Sequence, residues 1–205
     1  MTTRIRRIRR STASTTVAVV LLTGCGAENS NESAPEAGST TTASPGGSKQ
    51  PPEAVEADLG SAAVWEALMS PDGEYAAYAA YSAVIEEFGQ VEPYVAISGA
   101  ELRHVEALTR QLERRGVTVP DNPYLGEAPA PADLATAATA WADGEVANVA
   151  LYDELLAQVT GDATLTRVLT NLRRASLEMH LPAFRAAADN GGVLSAQQMA
   201  ALGLR

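Results

Sequence analysis

The sequence predicts an all-α domain built as a four-helix bundle, and three observations carry that expectation. The chain is 46% hydrophobic but only 5% aromatic, and its abundant alanine and scarce β-branched runs favour closely packed helices. Apolar residues recur at helical spacing, nothing alternates with period two for long, and no Asn-Gly-type hairpin joins two β-branched runs. Start and stop signals then divide residues 70–190 into four segments of about 18–27 residues, with one longer connection in the middle.

Glu53–Met69 reads as a weak helix at the N-terminal end, with Val55, Leu59, Val64, Trp65 and Leu68 on its apolar side. Ser70-Pro71-Asp72-Gly73-Glu74 reads as the start of the first long helix: a capping serine, a proline in the first turn and early acids. That helix runs to Phe88, before Gly89, with the stripe Ala77, Tyr78, Tyr81, Val84, Ile85, Phe88. The second runs from Pro93 to Arg115, with the stripe Ile97, Val105, Leu108, Leu112. A loop rich in proline follows, at 120, 123, 129 and 131. The third spans Asp133–Val159, with Leu134, Ala138, Trp141, Val149, Tyr152 and Leu156 on one side. The fourth runs from Asp162 to Asn190, with Leu165, Leu169, Leu172, Ser176 and Phe184. Ser195-Ala196-Gln197-Gln198 is a capping-box pattern opening a short helix at the C-terminal end. The long connection either crosses the bundle or decorates an up-down-up-down arrangement.

Before this domain the chain has a different character. Five of its 15 basic residues, Arg4, Arg6, Arg7, Arg9 and Arg10, precede an uncharged stretch with the apolar core Val17–Leu22. This is the layout of an export signal, and the core is far shorter than the ~20 residues of a membrane-spanning helix. The following Leu22-Thr23-Gly24-Cys25 resembles the lipobox of bacterial lipoproteins. That resemblance implies cleavage before Cys25 and acylation of its sulfur and new amino group, leaving the domain outside the cytoplasm and anchored to the membrane. The arginine pairs lack the apolar residues of a twin-arginine signal, so the export route stays open. Cys25 is the only cysteine, which excludes an intramolecular disulfide. From Gly26 to Ala54 there is no Val, Ile, Leu, Met, Phe, Trp or Tyr, so the segment reads as a disordered tether reaching on the order of 30 Å. The expected organisation is therefore residues 1–24 signal peptide, 25–54 lipidated cysteine and tether, and 55–205 helical domain. Without residues 1–24, ten basic residues face all 25 acids, a balance that repels nucleic acid and attracts cations.

Several polar residues fall on the apolar stripes. Glu74 precedes Tyr81 by seven; Glu101 lies between Ile97 and Val105, with His104 three further on; Glu145 precedes Tyr152 by seven; His180 is four before Phe184. Three glutamates and both histidines of the chain are thus expected on core faces. A buried carboxylate costs several kcal/mol unless neutralised, paired or metal-bound, and a pair of divalent metals meets that demand.

The stretch from Glu74 through Tyr81 to Gly89, then Ala100-Glu101-Leu102-Arg103-His104, Ala150-Leu151-Tyr152-Asp153-Glu154-Leu155 and His180-Leu181-Pro182-Ala183-Phe184, resembles an uncharacterised bacterial family of ferritin-like fold. The resemblance spans about Ser70–Ala188 and implies a ferritin-like bundle with a carboxylate/histidine metal site. Carried over, it makes Glu74 and Glu145 terminal ligands, Glu101 a bridge, and His104 and His180 one imidazole for each of two metals. Oxygen and nitrogen donors without thiolates suit iron or manganese, with zinc also admitted. Leu177 stands three before His180, where the family pattern has a second bridging glutamate; Glu178 would need a π-bulge to turn inward. Arg103, Arg110 and Arg173 are the alternative partners for the glutamates.

Two functions follow: a metal-dependent redox or metal-handling protein at the envelope, or a non-catalytic scaffold with a degenerate site. No Ser/His/Asp arrangement, phosphate loop or Cys-rich metal motif marks another chemistry. Replacing Cys25 with serine is expected to abolish lipid attachment; labelled fatty acid entering the Cys25→Ser protein would contradict the lipobox.

Overall fold

The computed structural model describes residues 49–52 and 58–204, and over them the protein is helical. The expected signal peptide, Cys25, most of the tether and Val55 lie outside the described residues. The helices are α1 (Leu59–Met69), α2 (Glu74–Phe88), α3 (Tyr94–Glu113), α4 (Leu134–Gln158), α5 (Ala163–Ala175), α6 (Leu181–Asp189) and α7 (Ala196–Ala201). A five-residue π-turn, Ser176–His180, joins α5 to α6. No described helix is long and apolar enough to cross a membrane.

The caps explain most of the boundaries. Asp58, Asp133 and Asp162 each accept backbone N–H bonds from the first turn that follows, satisfying donors that a helix start leaves free. The capping box at Ser195 and Gln198 forms with both reciprocal bonds. The start of α2 differs from expectation. Ser70 ends α1 instead of opening α2: its Oγ accepts from the Asp72 N–H, and its carbonyl accepts from Gly73 N–H at 2.9 Å. The resulting turn delays α2 to Glu74. Gly73 is required there, because a Cβ would stand 2.5 Å from the Ala67 carbonyl oxygen.

α2 packs chiefly on α3, and α4 chiefly on α6, α5 and the π-turn, while α1 lies against α3 and α4. The apolar interior falls into two clusters. One gathers Val64, Leu68, Leu108, Leu112, Leu155, Leu165 and Leu169 around α1. The other gathers Tyr81, Val84, Tyr94, Ile97, Ala138 and Phe184 around α6. Leu59, expected on the buried side of α1, is 69% exposed, because it occupies the first residue of the helix ahead of the turn that packs. Lys49, within the expected tether, already touches the domain: its carbonyl accepts from Trp65 Nε1, and its ammonium lies 4.0 Å over the Tyr124 ring.

The turn after α6 depends on Gly192, whose φ is +94° and whose missing Cβ leaves room for the backbone of Leu134; a methyl there would stand 2.1 Å from the Leu134 carbonyl carbon. Gly192→Ala is expected to cost about 2 kcal/mol or more. The expected result is a melting temperature lower by several degrees with the far-ultraviolet spectrum still helical.

Candidate metal centre

The two apolar clusters meet at a layer of charged side chains. Along α3, Ile97 of one cluster is followed by Glu101 and then by Val105 of the other; along α4, Ala142, Glu145 and Tyr152 repeat the pattern. Glu74, Glu101, Glu145 and His180 are all buried, and His104 is 12% exposed at its side chain. All five residues singled out from the sequence therefore reach one place.

They form two triads that share Glu101. Glu74, Glu101 and His104 offer ligand atoms within 4.8 Å of one another, and so do Glu101, Glu145 and His180. His104 Nδ1 lies 2.9 Å from Glu101 Oε2 and 3.3 Å from Glu74 Oε2. His180 Nδ1 lies 2.9 Å from Glu101 Oε1 and 3.5 Å from Glu145 Oε1. The two imidazoles stack with ring centres 5.5 Å apart. Glu101 thus presents one oxygen to each histidine.

Two tyrosines complete the layer. Tyr81 donates to Glu145 Oε1 at 2.6 Å, and Tyr152 donates to Glu74 Oε1. Each helix carries glutamate and tyrosine seven residues apart, two turns along one face. Glu74 meets Tyr152 while Tyr81 meets Glu145, so α2 and α4 run antiparallel with their pairs exchanged. The spacing is visible in the sequence, but it reads as packing until the second helix is in place.

The triads are not equivalent. In the first, Tyr152 and His104 occupy both Glu74 oxygens. In the second, Glu145 Oε2 and His180 Nδ1 are buried without a hydrogen-bond partner; His180 is close to Glu101 but not aligned for a linear bond. Buried polar atoms are rarely left in this state. A cation between Glu101, Glu145 and His180 would satisfy both.

The environment moves the protonation equilibria. Burial, then the charge of Glu101, pushes the Glu74 carboxyl up to about 8. Burial acts the same way on Glu101, but the hydrogen bond it accepts from Glu74 and the charge of His180 outweigh it and hold Glu101 well below the carboxylate range. His104 and His180 are each raised to about 10, because their carboxylate neighbours outweigh the burial that disfavours a cation. Burial and then the nearest glutamate push the Tyr81 and Tyr152 phenols far up, so both remain donors.

The fourth helical segment agrees with expectation at Glu178 and Ser176 and departs from it at Leu177. The π-turn is present, yet it does not turn Glu178 inward: Glu178 is 62% exposed and pairs with Arg174 at 3.7 Å. Nor does Leu177 occupy an inward position; it is 39% exposed. Ser176, four before His180, is buried on the inner side, as its place on the apolar stripe implies. Ser176 Oγ donates to Asn148 Oδ1 at 2.8 Å, and Asn148 Nδ2 donates to the Asp72 carbonyl at 2.8 Å. The sixth position is thus filled by a neutral, closed hydrogen-bond network that the sequence reading missed. The alternative arginine partners go elsewhere, Arg173 to Asp153 and Arg110 to Glu106. Tyr78, on the expected stripe, is only partly buried, and the layer is built without it.

No protein-family model matches the chain, and neither does any curated protein or solved structure.

The protonation pattern predicts how the metal-free protein responds to pH. A raised carboxyl and raised imidazoles bind protons more tightly folded than unfolded. Their contribution is complete below the unfolded values of 4.5 and 6.5 and is lost as pH rises through about 8 and about 10. Chelated protein is therefore expected to unfold at lower urea concentration at pH 9.5 than at pH 6; an equal or higher midpoint at pH 9.5 would contradict the arrangement.

Proposed function

We propose that this protein is a lipid-anchored envelope protein whose domain is a ferritin-like four-helix bundle, α2, α3, α4 and the α5–α6 segment, with α1 and α7 as additions at its ends. Its role in this reading is to bind iron, manganese or a similar divalent metal for redox chemistry or metal handling. The supporting observation is the pair of Glu/His triads sharing Glu101. Export and lipidation rest on the arginine-rich start and the lipobox-like Leu22–Cys25.

The donor set fits a dinuclear centre with Glu101 as bridge. Glu74 and His104 would hold one ion; Glu145 and His180 would hold the other. Such a pair, when bound, supplies reversible one-electron chemistry and Lewis acidity. The chain's own contribution is orientation. Tyr81 and Tyr152 each fix one carboxylate oxygen and leave the other for a cation, the role of outer partners in metal sites. The apolar clusters on both sides keep the layer at low dielectric, where opposite charges attract strongly. With five protein ligands instead of six, open coordination positions remain for a small exogenous ligand.

One observation favours the scaffold reading. The histidines are placed to neutralise the glutamates as imidazolium ions, so the layer can exist as an internal ion-pair cluster without metal.

Metal analysis of protein produced with added iron, manganese and zinc separates the two. The metal reading expects one to two ions per chain, and chelation should lower the melting temperature by several degrees, as loss of a ligand specific to the folded state requires. Glu101→Gln should lose most of the metal, while Leu177→Glu should change neither metal content nor stability appreciably, since position 177 faces outward. Absence of bound metal together with a chelator-insensitive melting temperature would leave only the scaffold.

A further inference from the structure

α2 and α4 make few direct contacts, since each packs mainly on other partners. Between them lies a cavity of about 380 Å³, within the ~300–1,000 Å³ range of small-molecule sites. Its walls are Ala76, Ala77 and Ala80 from α2 and Trp141 and Gly144 from α4. Its floor is Tyr81, Glu101 and Glu145, so it opens on the second triad. Lys49, Asp72, Tyr124 and Glu127 border it on the other side.

Four small residues hold the cavity open where leucines would close it. Two buried polar atoms of its lining residues, Glu145 Oε2 and Trp141 Nε1, have no hydrogen-bond partner. The cluster of Glu74, Glu101 and His104, by contrast, has its oxygens occupied and meets a different, smaller cavity that borders both histidines and Arg103. The asymmetry of the two triads and the position of the larger cavity coincide.

We propose that this chamber binds a small neutral, largely apolar molecule against the Glu101–Glu145 side of the layer. The lining selects its chemistry. Alanine, glycine and tryptophan walls favour hydrocarbon, and the carboxylates at the floor with Asp72 and Glu127 at the border outnumber Lys49 and disfavour an anion. One polar group suffices on the ligand, since the floor and Trp141 Nε1 offer few partners. Placement of that molecule beside a bound metal rests on the function proposed above; occupation of the chamber does not.

The test uses the full chain carrying Cys25→Ser, so that neither an acyl chain nor the thiol interferes, and 1-octanol as probe. Calorimetric titration should show one octanol site in the metal-free protein, with octanoate binding at least tenfold more weakly. Ala77→Leu and Ala76→Leu should each weaken octanol at least tenfold, with metal content unchanged and melting temperature unchanged or raised. In cobalt-loaded protein, octanol should alter the visible absorption of the ion. Octanol binding without any cobalt uptake would support the chamber and defeat the metal reading. Cobalt uptake without octanol binding would do the reverse. Equal affinity for octanoate, undiminished octanol binding in both filled variants, or a cobalt spectrum indifferent to bound octanol would each overturn the proposal.

Discussion

The carboxylate of Glu101 is the constraint on which the rest of this structure depends. A single charge buried between two apolar clusters would be untenable alone, and everything near it is arranged to make it tolerable. One oxygen faces each imidazole, and the Glu74 carboxyl shares its proton with it. Each of those partners imposes a demand in turn. The histidines must approach from α3 and from the π-turn, Glu74 must begin α2 instead of sitting inside it, and Glu145 must close the far side. The interhelical geometry at this level is set by polar distances, not by apolar packing. Four helical segments are thereby tied at one height.

The π-turn follows from the same demand combined with one residue of the sequence. Pro182 has no N–H, and in a regular helix its ring would collide with the carbonyl four residues back. A wider turn before it relieves that conflict: the Leu181 N–H reaches the Ser176 carbonyl, five residues back. The same widening swings Leu177 outward, while Ser176, four before His180, stays on the inner face. A proline that would otherwise damage the helix therefore sets which residue lines the site, and the consequence is a neutral serine–asparagine pair where a carboxylate would complete a symmetric centre. The loss of symmetry is local, since the tyrosine–glutamate pairs exchanged between α2 and α4 remain balanced.

What was legible in the sequence was whatever depended on one helix at a time. Helical periodicity located the long helices and put Glu74, Glu101, Glu145 and both histidines on inner faces. Caps at Asp133, Asp162 and Ser195 fell where residue chemistry placed them. Features that depend on two segments were not legible. Ser70 looked like the start of α2, because its role in ending α1 is decided by the close approach of Gly73 to Ala67. At 176–180 only Leu177 differs from the helical pattern: it is expected inward, three before His180, and the π-turn ahead of Pro182, the available signal, carries it outward. Asn148 carried none, and Ser176, a polar residue on the apolar stripe, takes its meaning only from Asn148 opposite it. Tyr81 and Tyr152 were seen on the stripes, but the exchanged bonds needed the antiparallel pairing of their helices.

The two triads bear differently on the question of metal. A cluster evolved only as an internal ion pair has every reason to satisfy all its polar atoms, because an orphaned one costs about 1–3 kcal/mol and replacement by apolar residues would be cheaper still. The first triad meets that standard: both oxygens of Glu74 are bonded and His104 is shared between two carboxylates. The second does not meet it fully: His180 Nδ1 lies 2.9 Å from Glu101 Oε1, but Glu145 Oε2 is buried without a hydrogen-bond partner. Tyr81 sharpens the contrast by holding one Glu145 oxygen and directing none of its bonding to the other. The unsatisfied carboxylate oxygen and the larger cavity thus lie on the same side of the layer.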